Sequence, residues 1–393
     1  MQWLNVLETF GVDLLGPTLW LVVWTLIKIL VIAVPIILCV AYLTYWERKM
    51  IGFMHIRLGP NRVGFRGLLQ PFADVFKLLT KEVIVPSQAN KILFILAPIV
   101  TVVPAVVITA TVPWGPSFVA FGHTINMYIA DIDVGILYVT AIASIAVYGI
   151  VLAGWSSNNK YAMLGGLRST AQMVSYELAL GLSFTAVILF AGSMNMIKIV
   201  EAQKDVWFAV LQPTGAVIFL IATLAELNRA PFDMPEAEQE LTAGYHVEYS
   251  GMKFALFFMA EYTKMIAISA ISATIFFGGY REFWFLKDTF LSVDRFALLG
   301  PIYMFLKIVV LLFGMIWARA TLPRIRYDRL MSFGWKAMLP LSLAIVLVSA
   351  VGIVLTQINP LFAWFTPVIS VLLGFLTIGL VDRSLRRKVY AAR

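Results

Sequence analysis

Apolar runs of about 20 residues recur along the whole length of this 393-residue chain. A run of that length is what an α-helix needs to cross the hydrocarbon core of a bilayer. Charged residues make up only 13% of the chain, about half their share in an average soluble domain. A transmembrane barrel would show alternating segments of about 10 residues instead. The sequence therefore predicts an all-α polytopic membrane protein, with residues 1–393 forming a single integral membrane domain.

The apolar runs predict about nine transmembrane helices, which connect loops on alternating sides of the membrane. The loops on one side hold 21 Lys and Arg residues, whereas those on the other side hold five. Basic loops remain on the cytoplasmic side, so we expect the N-terminus outside and the C-terminus inside. The same asymmetry explains the net charge of +8, and we expect no nucleic acid partner. The predicted spans are 18–46, 92–112, 133–155, 174–191, 207–225, 254–277, 301–320, 338–357 and 361–381.

The first long cytoplasmic loop, 47–91, contains a predicted amphipathic helix. Pro71 is suited to the first turn of this helix, and the apolar residues Phe72, Phe76 and Leu79 then fall on one face. Such a helix lies at the membrane interface. Its polar face meets either water or a partner protein, and the spacing does not distinguish these alternatives.

Acidic residues occur inside three consecutive predicted spans. Glu177 lies in the fourth span, Glu226 ends the fifth, and Glu261 lies in the sixth with Lys264 three residues later. A charge inside the bilayer costs at least about 2.5 kcal/mol, so each group needs a partner, a water path or a proton. Ion pairing with Lys264 is one explanation for Glu261. The set of three acids favours a path for protons or cations.

The most acidic stretch runs from Glu226 to Gly251. It holds six of the chain's 22 acidic residues, and two prolines, Pro231 and Pro235, are expected to end the fifth helix. Glu236 and Glu240 lie on one face of any helix after Pro235, where their repulsion favours uptake of a proton. One alternative is a solvated acidic loop. The interspersed apolar residues instead favour a segment that packs on a partner or lines a cavity.

The sequence offers no residues suited to a redox centre. Cys39 is the single cysteine, so neither an internal disulfide nor a cysteine-ligated iron–sulfur cluster is expected. His55, His123 and His246 are widely scattered and do not form a recognisable metal site. We therefore predict no metal ligands and no bound cofactor on this chain.

The acidic stretch begins Glu226-Leu-Asn-Arg-Ala-Pro-Phe-Asp233, the most specific of several long motifs in the chain. These motifs closely resemble the signature of the H-subunit family (mitochondrial subunit 1) of respiratory complex I, the proton-pumping NADH–quinone oxidoreductase. The resemblance covers roughly residues 15–357. The other matching motifs are Tyr45-Trp-Glu-Arg-Lys-Met, Arg57-Leu-Gly-Pro-Asn-Arg-Val-Gly, Leu69-Gln-Pro-Phe-Ala-Asp, Lys77-Leu-Leu-Thr-Lys-Glu, Tyr176-Glu-Leu-Ala-Leu, Ala260-Glu-Tyr and Glu248-Tyr-Ser-Gly.

The resemblance implies a membrane subunit that forms the entrance and lower wall of a quinone chamber and couples quinone reduction to proton translocation. It also implies that 226–253 is the quinone-site loop. The proton path toward the pumping subunits would use Glu177, Glu226 and Glu261, to which we add Lys264 from its spacing. The residues expected to line or flank the chamber are Arg57, Arg62, Asp74, Arg229, Phe232, Asp233, Glu236, Glu238, Glu240 and Glu248.

The same resemblance implies partners and a location. Quinone (ubiquinone or menaquinone) would be the substrate, while NADH, FMN and iron–sulfur clusters would sit on partner subunits. Those partners would be the quinone-site subunits of the hydrophilic arm and neighbouring small membrane subunits. We expect a bacterial cytoplasmic (inner) membrane, with the mitochondrial inner membrane as the alternative. The family has mostly eight membrane helices, so the segment 361–393 is an additional helix and basic tail.

Two other functions fit some of the same residues. The related subunit of a membrane-bound hydrogenase shares this architecture and need not reduce quinone. An independent cation–proton transporter would also use buried carboxylates, although no pair of Gly- or Pro-interrupted spans repeats between the halves of the sequence.

Overall fold

The structure is a computed structural model, and it describes residues 2–120, 123–233, 244–283, 292–293, 296–359, 362 and 364–391. Within these ranges the regular structure is α-helical apart from short 3₁₀ and π segments and two short antiparallel strands, β1 (Phe118–Ala120) and β2 (His123–Ile125), and loops connect these elements. The α-helices are α1 (Gln2–Met54), α2 (Gln70–Thr80), α3 (Lys91–Val107), α4 (Gly135–Ser156), α5 (Lys160–Ala191), α6 (Met196–Ala202), α7 (Phe208–Leu211), α8 (Pro213–Glu226), α9 (Gly251–Phe276), α10 (Leu299–Thr321), α11 (Tyr327–Phe333), α12 (Leu339–Ile358) and α13 (Phe365–Ala391).

The prediction of an all-α polytopic membrane protein is confirmed. Seven helices of the described residues are long and apolar enough to cross a membrane. The fifth and ninth predicted spans correspond to shorter apolar helices, Pro213–Glu226 and the part of α13 over Phe365–Gly379. The orientation of the termini remains a prediction.

Two segments predicted as loops are instead helical. The fourth predicted span began at residue 174, but α5 begins at Lys160. Likewise, 321–337 is mostly α11 and the π-helix Gly334–Met338, which run directly into α12. Both extensions are too polar or too rich in glycine to show an apolar run, and their packing against other helices stabilises them instead.

The centre of the bundle is formed by α5 and α9. Helix α5 contacts α4, α8 and α12, while α9 packs against α3 and α10. Small residues allow the closest approaches: a Cβ on Gly149 of α4 would lie 3.0 Å from the carbonyl oxygen of Ala97 in α3. Close contact between helices replaces the hydrophobic effect as the main source of association in lipid.

The predicted amphipathic helix of the 47–91 loop is confirmed as α2, with Pro71 in its first turn. Its apolar residues Phe72, Phe76 and Leu79 are exposed in the isolated chain. Tyr42 of α1 contacts Phe72 edge to face, with ring centroids 6.2 Å apart. Helix α2 therefore lies against the end of α1 and presents a further apolar surface outward.

Candidate functional site

The carboxylate of Glu47, near the end of α1, lies at the centre of a buried cluster of charged residues. Its oxygens accept hydrogen bonds from the Tyr262 hydroxyl of α9 and from Arg319 Nη1 of α10. Arg229 Nη1 lies 3.8 Å from Glu47 Oε1. Three distant parts of the chain thus meet on one carboxylate whose side chain is only 4% exposed.

Arg229 is held in place by a rigid turn that follows α8. Asn228 adopts a left-handed conformation with φ 50°, and its amide donates to Ser169 Oγ at 2.8 Å. The Gln172 amide donates to the carbonyl oxygens of Ala225 and Phe232, at 2.8 and 2.9 Å. Ser169 and Gln172 belong to the part of α5 that was predicted as a loop, so this extension positions the start of the acidic stretch.

The guanidinium of Arg229 joins the Glu47 cluster to a second carboxylate. Arg229 Nη2 lies 3.6 Å from Glu261 Oε2, and the guanidinium stacks over the Tyr262 ring at 4.4 Å. The Tyr245 hydroxyl donates to Glu261 Oε1 at 3.3 Å. Pairing with Lys264 on its own helix was one of two explanations for Glu261, and the structure adds Arg229 and Tyr245 as neighbours from outside that helix.

Asp233 extends the cluster toward the predicted cytoplasmic surface. Its Oδ2 accepts a hydrogen bond from Arg324 Nη2 at 3.2 Å. Burial raises the pKa of Asp233 from its ordinary value, and the neighbouring Arg324 and Arg319 oppose that rise. The preceding residue, Phe232, is buried against Tyr176, with ring centroids 5.8 Å apart. Because burial and the neighbouring arginines act on the pKa of Asp233 in opposite directions, a further charge placed beside this carboxylate changes its pKa readily.

Glu177, Glu226 and Lys264 line one enclosed cavity between α4, α5, α8 and α9. The volume is about 30 Å³, which is room for roughly two water molecules. The Ser144 hydroxyl of α4 donates to Glu177 Oε1, and the hydroxyl-bearing Thr140 also lines the cavity. Three of the four predicted proton-path residues, each on a different helix, are therefore brought together at this cavity.

Lys264 connects this cavity to the Glu47 cluster. It interacts electrostatically with Glu226, Glu261 and Glu177, and Glu261 is the neighbour of Arg229. We call the whole set the charged network. From the surface inward it contains Arg324, Asp233, Arg319, Glu47, Arg229, Glu261, Lys264, Glu226 and Glu177.

A neutral histidine lies beside the network. His246 is enclosed by aromatic rings, with the Tyr245 centroid 3.9 Å away and Phe257 at 5.3 Å. Burial lowers the pKa of His246 to about 4, against the influence of Glu261, which raises it. The imidazole is therefore uncharged at neutral pH and adds no positive charge next to Glu261.

The remaining predicted chamber residues lie in different surroundings. Asn159 donates to Glu248 Oε1 at 2.6 Å, and Arg48 Nη1 of α1 donates to Asp74 Oδ2 of α2 at 2.6 Å. Arg57 and Arg62 are exposed on the loop before α2. Glu236, Glu238 and Glu240 lie outside the described residues.

Sequence reasoning missed several members of the network. It did not single out Glu47 and Arg319, which are 272 positions apart, or Arg324. It also did not single out Tyr262, which donates to Glu47. A usable signal existed for Arg319, since an arginine at the end of an apolar span requires a partner. The choice of Glu47 as that partner depends on the packing of α1 against α9 and α10, which no local pattern encodes.

Comparison with known proteins agrees with the motifs. The family described as NADH dehydrogenase matches residues 27–350. The chain belongs to this family. The family match includes all members of the charged network and ends before α13.

Individual relatives are similar to this chain over most of its length. A protein from Bordetella avium (strain 197N), named as the H subunit of NADH-quinone oxidoreductase, is 55% identical over 353 residues, which covers 87% of this chain and 95% of the relative. Proteins of the same name from Magnetococcus marinus and Rickettsia typhi are 46% and 52% identical, covering 87% and 83% of this chain and 95% and 92% of the relatives.

Proposed function

We propose that this chain is a membrane subunit of a proton-translocating NADH–quinone oxidoreductase, in which it forms part of a quinone chamber and couples quinone reduction to proton movement. The names of its relatives support the assignment to this complex. The continuity of the charged network, from Asp233 near the surface to Glu177 inside the bundle, is the observation that carries the coupling role.

The proposed chemistry starts from quinone itself. A quinone that accepts two electrons also takes up two protons, so its reduction changes the charge balance near the chamber. Acidic groups of the 226–253 loop are the nearest candidates to respond, and Asp233 is the one that lies at the surface end of the charged network. The electrons would come from NADH through FMN and iron–sulfur clusters on partner subunits, because this chain supplies no redox centre in the proposal.

The network offers a route for that response. Movement of a charge beside Asp233 or Arg324 alters the field at Arg319 and Glu47, and Arg229 links Glu47 to Glu261. Lys264 then interacts electrostatically with Glu261 on one side and with Glu226 and Glu177 on the other. Each step joins two groups that interact electrostatically. Coulomb interactions are strong in the low-dielectric interior of the bundle.

Partner contacts and location follow from the same proposal. The loop before α2 exposes large apolar side chains, with Ile56 96% and Leu58 79% exposed. Exposed apolar surface of this kind suits contact with a protein partner, and we assign it to the hydrophilic-arm subunits. The compared relatives come from bacteria, which supports placement in a bacterial inner membrane.

The test replaces Glu226 by glutamine in the assembled complex. Glu226→Gln keeps the shape of the side chain but removes its capacity to carry a proton. We expect quinone-coupled proton translocation to fall about a hundredfold or more, the scale on which proton-transfer groups act. Glu201→Gln, an exposed acid on α6, is the matched control and should behave like the unmodified protein.

The readouts separate chemistry from assembly. Membrane vesicles report NADH–quinone reduction together with the pH gradient, while NADH oxidation by a water-soluble acceptor reports the intact electron-input arm. An assembled Glu226→Gln complex with normal quinone reduction and a normal gradient would refute the role of this residue. A chain that purifies alone as a folded protein would favour an independent transporter.

A further inference from the structure

An apolar groove lies on the outside of the bundle, away from the charged network. It is formed by α8, by the π-helix with the start of α12, and by α13. The groove has a volume of about 540 Å³, within the range of about 300–1,000 Å³ in which proteins hold small organic ligands. Its third wall, α13, lies beyond the family match at residues 27–350.

The wall contributed by α13 is a specific packing arrangement. The Thr214 hydroxyl of α8 donates to the carbonyl oxygen of Ser370 at 2.8 Å, and Thr366 and Ser370 are both buried. A Cβ added to Gly352 of α12 would collide with the Thr366 hydroxyl. Helix α13 is therefore seated closely at these points, and the groove remains where the three elements diverge.

The chemistry of the groove suits a hydrocarbon chain. Two threonines line it, but Thr214 is bonded to Ser370, and Thr377 Oγ1 donates to the carbonyl oxygen of Gly374 at 2.8 Å. The groove opens on the outer surface, since Phe375 and Ile378 are 69% and 67% exposed. The groove opens toward the bilayer, and the hydroxyls of both described threonines already donate to backbone carbonyl oxygens. These hydroxyls are therefore not available to orient a polar ligand.

Basic residues occur in two helical segments beside one end of the groove. The lining residue Ala337 is preceded by the exposed Lys336, and Arg329 is exposed one helix earlier. Helix α13 continues beyond the lining residue Ile378 to Arg383, about 8 Å further along the axis. Basic residues between helices at the cytoplasmic interface attract anionic lipid headgroups. The sequence adds Arg386, Arg387 and Lys388 to the same helix end.

We propose that this groove is a binding site for an anionic phospholipid, with an acyl chain between α8, α12 and α13 and the headgroup at the basic helix ends. The charge at the headgroup end selects this lipid over a zwitterionic one. A bound lipid of this kind would fasten α13 to the family-type bundle.

The experiment uses the complete complex, purified in mild detergent and washed, with retained lipids measured by mass spectrometry. Val371→Trp fills the groove from α13. Val368→Trp is the matched control, because Val368 lies one turn earlier on the same helix, is exposed and does not line the groove. We expect Val371→Trp to lose about one anionic phospholipid per complex while Val368→Trp retains it.

A second pair of variants tests the headgroup. Arg329→Gln combined with Lys336→Gln should reduce the anionic share of the retained lipid, whereas Lys198→Gln combined with Lys204→Gln near α6 should leave it unchanged. If Val371→Trp prevents assembly, Ile378→Trp fills the opposite end and gives the same readout. Equal anionic lipid in groove and control variants would overturn the proposal, as would release of a quinone or a polypeptide instead of a lipid.

Discussion

Replacement of Glu47 by glutamine is the sharpest perturbation of the charged network. The change leaves Arg229 and Arg319 facing each other without the carboxylate between them. At an effective dielectric constant of about 20, Coulomb's law gives roughly 4 kcal/mol for the 3.8 Å pair of Arg229 with Glu47. Arg319 is 33% exposed and regains water, whereas Arg229 stays buried and loses one of its two carboxylate neighbours, keeping Glu261 at 3.6 Å. The larger part of the cost therefore falls on Arg229. We expect a loss of about 3 kcal/mol in the stability of the subunit, as for other broken buried pairs.

A double-mutant cycle measures the interaction of Glu47 with its second basic neighbour, Arg319. Thermal inactivation of the purified complex is compared for Glu47→Gln, Arg319→Gln and the double variant. Since the double variant removes one excess cation, it should be more stable than the sum of the single effects by at least about 1 kcal/mol. Quinone reduction should remain low in Glu47→Gln and in the double variant, because neither restores the link to Arg229.

The control is an exposed ion pair. Arg326 Nε lies 3.1 Å from Asp328 Oδ1, and both side chains are well exposed, so Asp328→Asn should cost at most about 1 kcal/mol. A Glu47→Gln complex that inactivates no faster than the Asp328→Asn complex would refute the reasoning. Strictly additive effects in the cycle would also refute it.

Three further predictions concern single contacts. Lys307→Met removes hydrogen bonds to the carbonyl oxygens of Phe277, Gly279 and Arg281, and should lower stability by about 3 kcal/mol in thermal inactivation, with Lys198→Met unaffected. Ser144→Ala removes the donor to Glu177 and should slow coupled proton translocation about fivefold, with normal coupling as the contrary result. The pKa of about 4 for His246 lies below its unfolded value of about 6.5. Stability of segment 244–250 should therefore fall as pH drops from about 6.5 to 4; hydrogen exchange should show this fall, and it should vanish in His246→Phe.

The apolar spans were predictable because membrane helices follow a local rule. Each span needs about 20 apolar residues, and that requirement is visible in the sequence without reference to partners. The N-terminal extension of α5 was not predictable, since Ser169, Gln172 and the glycines of that segment suit a loop equally well. Their role becomes clear only when Gln172 meets Ala225 and Phe232 across the bundle.

Some residues of the candidate site were likewise predictable from the sequence, whereas their arrangement was not. Glu177, Glu226 and Glu261 were found because each carries a charge where the bilayer penalises it. Their convergence with Lys264 depends on how α5, α8 and α9 rotate about their axes, which a single sequence leaves open. Arg229 follows Glu226 by only three residues, yet the turn at Asn228 directs its guanidinium toward Glu47 and Glu261.

The charge balance of the network provides a physical basis for coupling. Among the described residues it combines four basic side chains (Arg229, Lys264, Arg319, Arg324) with five acidic ones (Glu47, Glu177, Glu226, Asp233, Glu261). A buried set of this kind resists net charge, because an uncompensated ion in a low-dielectric interior is costly. One proton shared among the five acids would balance the set. Any process that alters the charge beside Asp233 changes which acid holds that proton most favourably, and a proton displaced toward Glu177 is the first step of transfer.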